Sequence, residues 1–172
     1  MKKIIVAGTS GSGKTTLARQ LAEKLNITHI ELDNLLWLPG WKTRPEEEFK
    51  KLVAQEIKKP GWTACGNYTQ LMPITWKEAD TVVWLDYPLW LSLWRALKRS
   101  AKLWWNHETV CNGNYESFSN FFSRKGIFRW VFKSYFSRKK KMPRFIADPK
   151  YKHIKFIRLR SPKETKQWLE GL

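Results

Sequence analysis

The sequence predicts an α/β fold, a three-layer sandwich in which a five-stranded parallel sheet has helices on both faces. Two observations predict it. Short apolar runs rich in β-branched residues alternate with stretches of helical periodicity, and a glycine-rich loop joins the first strand to the first helix. The strands are expected at residues 3–7, 28–32, 62–65, 81–86 and 153–159. With 172 residues, positions 1–172 are predicted to form a single domain.

The glycine-rich loop has the residue spacing of the phosphate-binding loop, or P-loop, of nucleoside triphosphatases (the P-loop NTPase fold). It comprises Gly8, Thr9, Ser10, Gly11, Ser12, Gly13, Lys14, Thr15 and Thr16. Glycines let backbone N–H groups wrap a phosphate chain, and the helix that follows directs its free N–H groups at the same place. The pattern predicts that Lys14 contacts the β- and γ-phosphates of ATP and that Thr15 offers its hydroxyl to Mg²⁺. A chance match in an ordinary turn is disfavoured, because a strand and a helix flank the loop.

Polar segments after the second and third strands are candidates for an acceptor site. Because the carboxyl ends of parallel strands meet at one edge of a sheet, Asp33 is expected beside the phosphate loop, with Gly66, Asn67 and Tyr68 nearby. Asp33 would orient an acceptor hydroxyl, take its proton or hold Mg²⁺ through water; capping the next helix is the alternative. For Gly66 to Tyr68, acceptor binding and an ordinary turn are equally open.

Residues 89–105 have helical periodicity and follow Asp86, which is either a partner of Mg²⁺ or Lys14 or the cap of this helix. The apolar face of the helix is predicted to comprise Trp90, Leu93, Trp94, Leu97, Ala101 and Trp104. Arg95 and Arg99 fall on another face. They are candidate catalytic residues that clamp a transferring phosphoryl group, and a solvated row of charges is the alternative.

Positive charge is concentrated in one part of the chain. The net charge is +17, and residues 95–160 hold 18 basic and 3 acidic side chains. Such an excess indicates a polyanionic partner, either the phosphates of a nucleotide or a nucleic acid backbone. Residues 106–141 are predicted to form a helical, basic lid insert that folds over the nucleotide, whereas the run 138–141 is alternatively a nucleic-acid patch. Most of the eleven tryptophans are expected in the core.

Cysteine content and hydropathy indicate the compartment. Cys65 and Cys111 are too few for a disulfide framework and are interpreted as structural thiols, although His107 and Cys111 lie four residues apart, a spacing that can hold a metal. No apolar run approaches membrane-spanning length, and residues 1–3 lead directly into the first strand. We therefore expect a cytoplasmic protein with no membrane partner.

Taken in order, these motifs resemble the adenylate-kinase-like P-loop kinases, and more closely the bacterial DNA topology modulation proteins. The similarity extends over nearly the whole chain, at residues 8–16, 29–37, 39–41, 62, 66–68, 79–80, 83–86, 95, 99 and 159–162. The resemblance implies an ATP-dependent kinase whose acceptor faces Asp33 and residues 66–68, with Arg95 and Arg99 at the base of the lid. It also implies that the adenine lies beside Arg160, Ser161 and Pro162.

One departure from the family pattern concerns the metal. The family usually has an aspartate immediately before the Gly-Asn-Tyr triplet, where this chain has Cys65. An acid at that strand end helps to hold Mg²⁺ through water, so Asp33 or Asp86 would have to replace it.

Two functions are compatible with these features. The leading hypothesis is a kinase that transfers the γ-phosphoryl group of ATP·Mg²⁺ to a small-molecule acceptor, such as a nucleoside or nucleotide. The alternative is a nucleotide-regulated nucleic-acid-binding protein that affects DNA topology and contacts backbone phosphates through residues 95–160. The sequence does not name the acceptor, because the shape of its pocket decides which molecule fits.

Overall fold

A parallel sheet forms the centre of the protein in a computed structural model, which describes residues 1–115 and 126–172. The strands are β1 (Lys3–Gly8), β2 (Thr28–Glu31), β3 (Trp37–Leu38), β4 (Lys42–Thr43), β5 (Trp62–Cys65), β6 (Thr81–Leu85), β7 (Thr109–Val110), β8 (Asn114–Tyr115) and β9 (Lys155–Leu159). The main sheet has the order β2-β5-β1-β6-β9, and every adjacent pair is parallel. The predicted five-stranded parallel sheet is therefore confirmed.

Helices connect the strands of the main sheet. They are α1 (Lys14–Leu25), α2 (Leu32–Leu36), α3 (Glu46–Glu56), α4 (Met72–Glu78), α5 (Leu89–Trp105), α6 (Ile127–Ala147) and α7 (Pro162–Glu170). Short 3₁₀ turns lie at Pro39–Trp41, Thr69–Leu71 and Pro149–Tyr151. Among these helices, none in the described part of the chain combines the length and apolar character needed to cross a membrane.

Alternation along the strands divides the core into two layers. On β1, Ile5 and Ala7 face one side and pack with residues of α3 and α4, while Ile4 and Val6 face the other side and pack with α1. The carboxyl-terminal half of α6 joins the first layer through Met142, and α7 lies against the second. Helices on both faces of one sheet give the predicted three-layer sandwich.

Strand register brings the polar loops to one edge of the sheet. Gly8 pairs with Leu85, and Glu31 pairs with Cys65. The segments that follow these residues are the phosphate loop, the start of α2 and the Gly66–Tyr68 turn. They meet at the carboxyl edge, where ligands of open α/β sheets bind.

Several features differ from the sequence predictions. Helix α4 and the two small antiparallel hairpins, β3–β4 and β7–β8, were not predicted. The second hairpin, in the predicted lid, docks on the first through buried Asn114, whose Oδ1 accepts a hydrogen bond from the Trp41 N–H (2.7 Å). Helix α6 extends past the predicted lid end at 141, while lid residues 116–125 lie outside the described part of the chain.

The expectation that most tryptophans lie in the core is wrong. Only Trp62, Trp76 and Trp84 are buried. Six are exposed, namely Trp41, Trp90, Trp94, Trp104, Trp105 and Trp130. Most of these lie on α5 and α6, so these two helices place most of their tryptophans on the surface.

Candidate active site

The phosphate loop has the backbone conformation that its glycines allow. Gly11 and Gly13 have φ angles of 80° and 94°, in the left-handed region that favours glycine, and α1 begins directly afterwards at Lys14. The Lys14 Nζ donates a hydrogen bond to the carbonyl oxygen of Thr9 (3.0 Å). The loop lines a cavity of about 810 Å³ into which the first turn of α1 also projects. This geometry fits a phosphate chain, because backbone N–H groups and a cation converge on one space.

Burial changes the acidity of Lys14. Desolvation, followed by the nearby positive charge of Arg138, lowers the pKa of its ammonium group to about 8. Asp33 acts in the opposite direction. A lysine whose charged form is destabilised by burial in a polar cavity is typical of an anion-binding site.

Helix α5 packs on the loop with a different face from the one predicted. Its buried residues are Ser92, Ala96, Ser100 and Leu103, whereas the predicted face members Trp90, Trp94 and Trp104 are exposed. A Cβ added at Gly11 would lie 2.3 Å from the carbonyl oxygen of Ser92. The small side chains at spacing four therefore let the helix approach the loop closely, with its tryptophans on the exposed side.

The packing of α5 brings Arg95 and Arg99 beside the loop. The Arg95 Nη1 donates to the carbonyl oxygen of Ser12 (3.4 Å), and its guanidinium lies 5.6 Å from the centre of the Tyr87 ring. Both arginines line the loop cavity. Their position fits the clamp that the sequence suggested, although their role in transfer stays a prediction.

A carboxylate that the sequence analysis missed lies at the Thr15 hydroxyl. Glu31 ends β2 opposite Cys65, and its carboxylate accepts a hydrogen bond from Asn34 Nδ2 (3.3 Å). Burial, followed by the negative charge of Asp33, raises the pKa of Glu31. The Thr15 side chain is close enough to act on this pKa in the opposite direction. The Cys65 thiol lies 3.6 Å from the same hydroxyl, and burial raises its pKa to about 11. The sequence analysis could have identified Glu31 from its position as the last residue of a strand, because that end of the strand lies at the ligand-binding edge of the sheet.

The oxygen atoms of Thr15, Glu31 and Asp33 fit Mg²⁺ in chemical type. Magnesium prefers oxygen ligands, keeps several waters and uses one or two carboxylates together with phosphate oxygens. No group of three or more metal-binding His, Cys, Asp or Glu side chains occurs among the described residues. A site for Mg²⁺ would therefore be completed by the nucleotide and water.

Asp33 and the Gly66–Tyr68 turn meet as predicted. The Tyr68 hydroxyl donates a hydrogen bond to the Asp33 carboxylate, and burial followed by that negative charge raises the pKa of Tyr68. Asn67 Nδ2 donates to the carbonyl oxygen of Gly8 (2.8 Å), which ties this turn to the phosphate loop. Asp33 lies within α2 and does not cap it, since Glu31 occupies the cap position.

A second cavity, of about 280 Å³, lies on the other side of these residues. Asn67 and Tyr68 line it together with the side of α6 that carries Trp130, Arg138 and Lys141. Asp33 lines the larger cavity, so its hydrogen bond with Tyr68 joins the two spaces. This arrangement suits a nucleotide in one cavity and an acceptor in the other.

Asp86 does not cap α5, and its carboxylate is paired with two cations of other elements. Its carboxylate accepts hydrogen bonds from Arg158 Nε (2.8 Å) and Lys139 Nζ (3.0 Å). Pro88, not Asp86, precedes the first residue of α5 as its cap. Asp86 is buried, so two cations compensate its charge and attach α6 to the sheet.

The segment predicted to lie beside the adenine is partly at the loop cavity. Pro162 lines that cavity, as do Thr165 and other residues of α7. Ser161 instead caps α7, accepting a hydrogen bond from the Glu164 N–H (3.1 Å), and the Arg160 N–H is bonded to the Glu164 carboxylate. Adenine binding by Arg160, Ser161 and Pro162 stays a prediction.

Comparison with known proteins agrees with this fold. The family model described as AAA domain matches residues 4–102, more than half of the chain. The chain belongs to the AAA domain family. This AAA domain protein is 29% identical to the uncharacterized protein YqaC of Bacillus subtilis (strain 168) over 122 residues, which are 70% of this chain and 68% of YqaC.

Further relatives of the AAA domain protein are kinases by name. It is 27% identical to a shikimate kinase of Synechococcus elongatus over 100 residues, which are 50% of this chain and 53% of the kinase. The chain thus spans about half the length of that relative. In structure it is similar to a shikimate kinase from Acinetobacter baumannii in complex with shikimate, with a TM-score of 0.55, 16% identity and coverage of 99% of this chain and 90% of the other.

A gluconokinase from Sinorhizobium meliloti 1021 has a TM-score of 0.51 and 13% identity, with coverage of 99% of this chain and 92% of the other. The AAA domain protein therefore has the fold of small-molecule P-loop kinases.

Proposed function

We propose that this AAA domain protein is a kinase that transfers the γ-phosphoryl group of ATP·Mg²⁺ to a small-molecule acceptor. The observation that carries the proposal is the junction of two cavities at one sheet edge, where the Tyr68 hydroxyl is bonded to Asp33. The phosphate loop lines the larger cavity. Both polar and apolar side chains line the smaller cavity. The names of the relatives, shikimate kinase and gluconokinase, support phosphoryl transfer to a small molecule.

The proposed roles follow from position. Loop N–H groups and Lys14 bind the phosphates, and Arg95 and Arg99 stabilise the charge on the transferring group. Asp33 orients the acceptor hydroxyl or takes its proton, because it lies where the two cavities meet. Bound Mg²⁺ would neutralise phosphate charge.

We also propose that residues 106–141 act as a lid within the single domain 1–172. Support comes from α6, whose Val131 packs near Ala96 of α5 while its later turns line the smaller cavity. Ala96 in turn lies against Gly11 of the loop. A ligand that moves α6 would therefore also affect the conformation of the phosphate loop, through Ala96.

Glu31 offers a replacement for the acid that is absent at Cys65. We expect Glu31→Gln to weaken Mg²⁺ binding in the presence of an ATP analogue roughly tenfold or more, because the residue beside the Thr15 hydroxyl then carries no charge. Adding Cys65→Asp to that variant should restore part of the loss, since it places a carboxylate across the strand pair. Calorimetric titration with Mg²⁺ measures both effects. Unchanged Mg²⁺ affinity in Glu31→Gln would place the metal elsewhere.

The nucleic-acid alternative, and the closeness to DNA topology modulation proteins, rest on the motif order and the basic segment. Several cations of that segment have roles within the fold: Lys139 and Arg158 pair with Asp86, while Arg138 and Lys141 line the smaller cavity. This favours the kinase.

Titration with an ATP analogue and with duplex DNA at ~0.15 M salt separates the two functions. We expect nucleotide binding that DNA does not displace. DNA binding with a salt slope of about −0.9 per phosphate contact, and no nucleotide binding, would reverse the choice.

A further inference from the structure

The smaller cavity is lined by Arg138, whose Nε has no hydrogen-bond partner in the described part of the chain. This nitrogen is fully buried. Burial lowers the pKa of Arg138 to about 10. A buried N–H group of a charged side chain without an acceptor is costly, and a ligand anion would supply the acceptor.

The charge of the cavity has one sign. Lys133 and Lys141 line it along with Arg138, at intervals on the same side of α6, and none of the described lining residues is acidic. Both lysines are exposed, so they lie toward the mouth while Arg138 Nε is buried from solvent. An anion entering this cavity would meet cations along its path and at its end.

A second unpartnered atom has the opposite polarity. Asn67 Nδ2 donates to the Gly8 carbonyl oxygen, which identifies the other amide atom as oxygen. That oxygen, Oδ1, is buried and accepts no hydrogen bond within the described chain. It requires a donor, and a hydroxyl group of a ligand supplies one.

We infer that the acceptor is a small molecule bearing both a hydroxyl group and an anionic group, a carboxylate or a phosphate, with the anion bound by Arg138 and a hydroxyl bound by Asn67. This inference rests on the proposed kinase function and names its substrate class. The cavity volume of about 280 Å³ limits the acceptor to a compact metabolite. Its floor is apolar, with Trp76 and Met142 buried beneath it, so the carbon skeleton has a surface to pack on.

Matched pairs of compounds test the inference by calorimetry in the presence of Mg²⁺ and a non-hydrolysable ATP analogue. One pair is a six-carbon sugar acid and the polyol of the same length; the second is a hexose phosphate and the free hexose. The third is a hydroxylated cyclic carboxylate and the corresponding cyclic polyol. We expect at least one anion to bind at least tenfold more tightly than its neutral partner. The carboxylate and phosphate arms show which anion is preferred.

Variants on α6 provide the control. Arg138→Gln should weaken binding of the anion roughly 10- to 100-fold, as for loss of a hydrogen bond to a charged group. It should change binding of the ATP analogue much less, since the Arg138 charge acts on Lys14 only as a secondary influence. Arg144→Gln alters an exposed cation on the same helix that lines neither cavity, and it should change neither affinity.

Three results would overturn the inference while leaving the kinase proposal in place. They are equal binding of neutral and anionic partners, failure of all anions to bind protein that binds the ATP analogue, and loss of analogue affinity rather than anion affinity in Arg138→Gln. Failure of the wild-type protein to bind the analogue would instead contradict the kinase proposal, and this inference with it.

Discussion

Lys14→Ala is expected to abolish measurable ATP binding and to lower any turnover by at least about a hundredfold, while the fold remains intact. The Lys14 ammonium group lies in the loop cavity, and its hydrogen bond to Thr9 is a local one within the loop. Removing it takes away the cation that meets the phosphates but no core packing. Calorimetry with an ATP analogue measures the binding, and urea unfolding measures the stability.

The matched control is Lys51→Ala, which removes an exposed lysine from α3, away from both cavities. It should bind the analogue like the wild-type protein. Equal affinity in Lys14→Ala and Lys51→Ala would contradict the assignment of the loop as a nucleotide site.

The pH dependence of binding gives an independent check on Lys14. Burial holds its pKa at about 8 in the free protein, and phosphate oxygens would raise it in the complex. Below pH 8 the ammonium form is already present; above it, binding must take up a proton, so affinity falls with rising pH until the pKa of the complex is reached. We expect up to about a tenfold loss of affinity for the ATP analogue per pH unit in that window.

Gly11→Ala is expected to disrupt both the loop and its contact with α5. The new Cβ would lie 2.3 Å from the Ser92 carbonyl oxygen, a backbone atom that cannot move alone, and the φ angle of 80° strains any side chain. Overpacking costs about 1–3 kcal/mol and a left-handed φ about 1–2 kcal/mol. The free energy of unfolding should fall by roughly the sum, and nucleotide binding should be lost.

Gly113→Ala separates these two costs. Gly113 has a φ angle of 83°, but an added Cβ would meet no atom within 4 Å. This control should lower the free energy of unfolding by about 1–2 kcal/mol from backbone strain alone. It should retain nucleotide binding. Equal losses of stability in the two variants would show that α5 leaves room for a Cβ atom at Gly11, contrary to the close contact described above.

Local patterns allowed most of the fold to be predicted. The five strands and the helix at 89–105 follow from apolar periodicity, and the loop follows from the spacing of its glycines and Lys14. Residues 33 and 66–68 were expected together because parallel strands end at one edge, and the Tyr68–Asp33 hydrogen bond confirms their proximity.

What could not be predicted depends on contacts between distant segments. The predicted orientation of α5 was wrong because its tryptophans suggested a buried face. The face that packs on Gly11 instead carries Ser92 and Ala96, whose side chains are small enough for close contact. The pairing of Asp86 with Arg158 depends on the neighbouring strand, which the order along the chain does not reveal. Arg138 lies 105 positions after Asp33 in the chain, and only the path of α6 brings it to the smaller cavity beside Tyr68.

The central claim, transfer of phosphate from ATP to an organic acceptor, is tested most directly by following a labelled γ-phosphoryl group. The wild-type protein is incubated with γ-labelled ATP, Mg²⁺ and a deproteinised metabolite extract, and the labelled products are separated. The kinase proposal predicts label in a phosphorylated organic compound, absent with Lys14→Ala. Label appearing only as inorganic phosphate, or remaining in ATP, would contradict it.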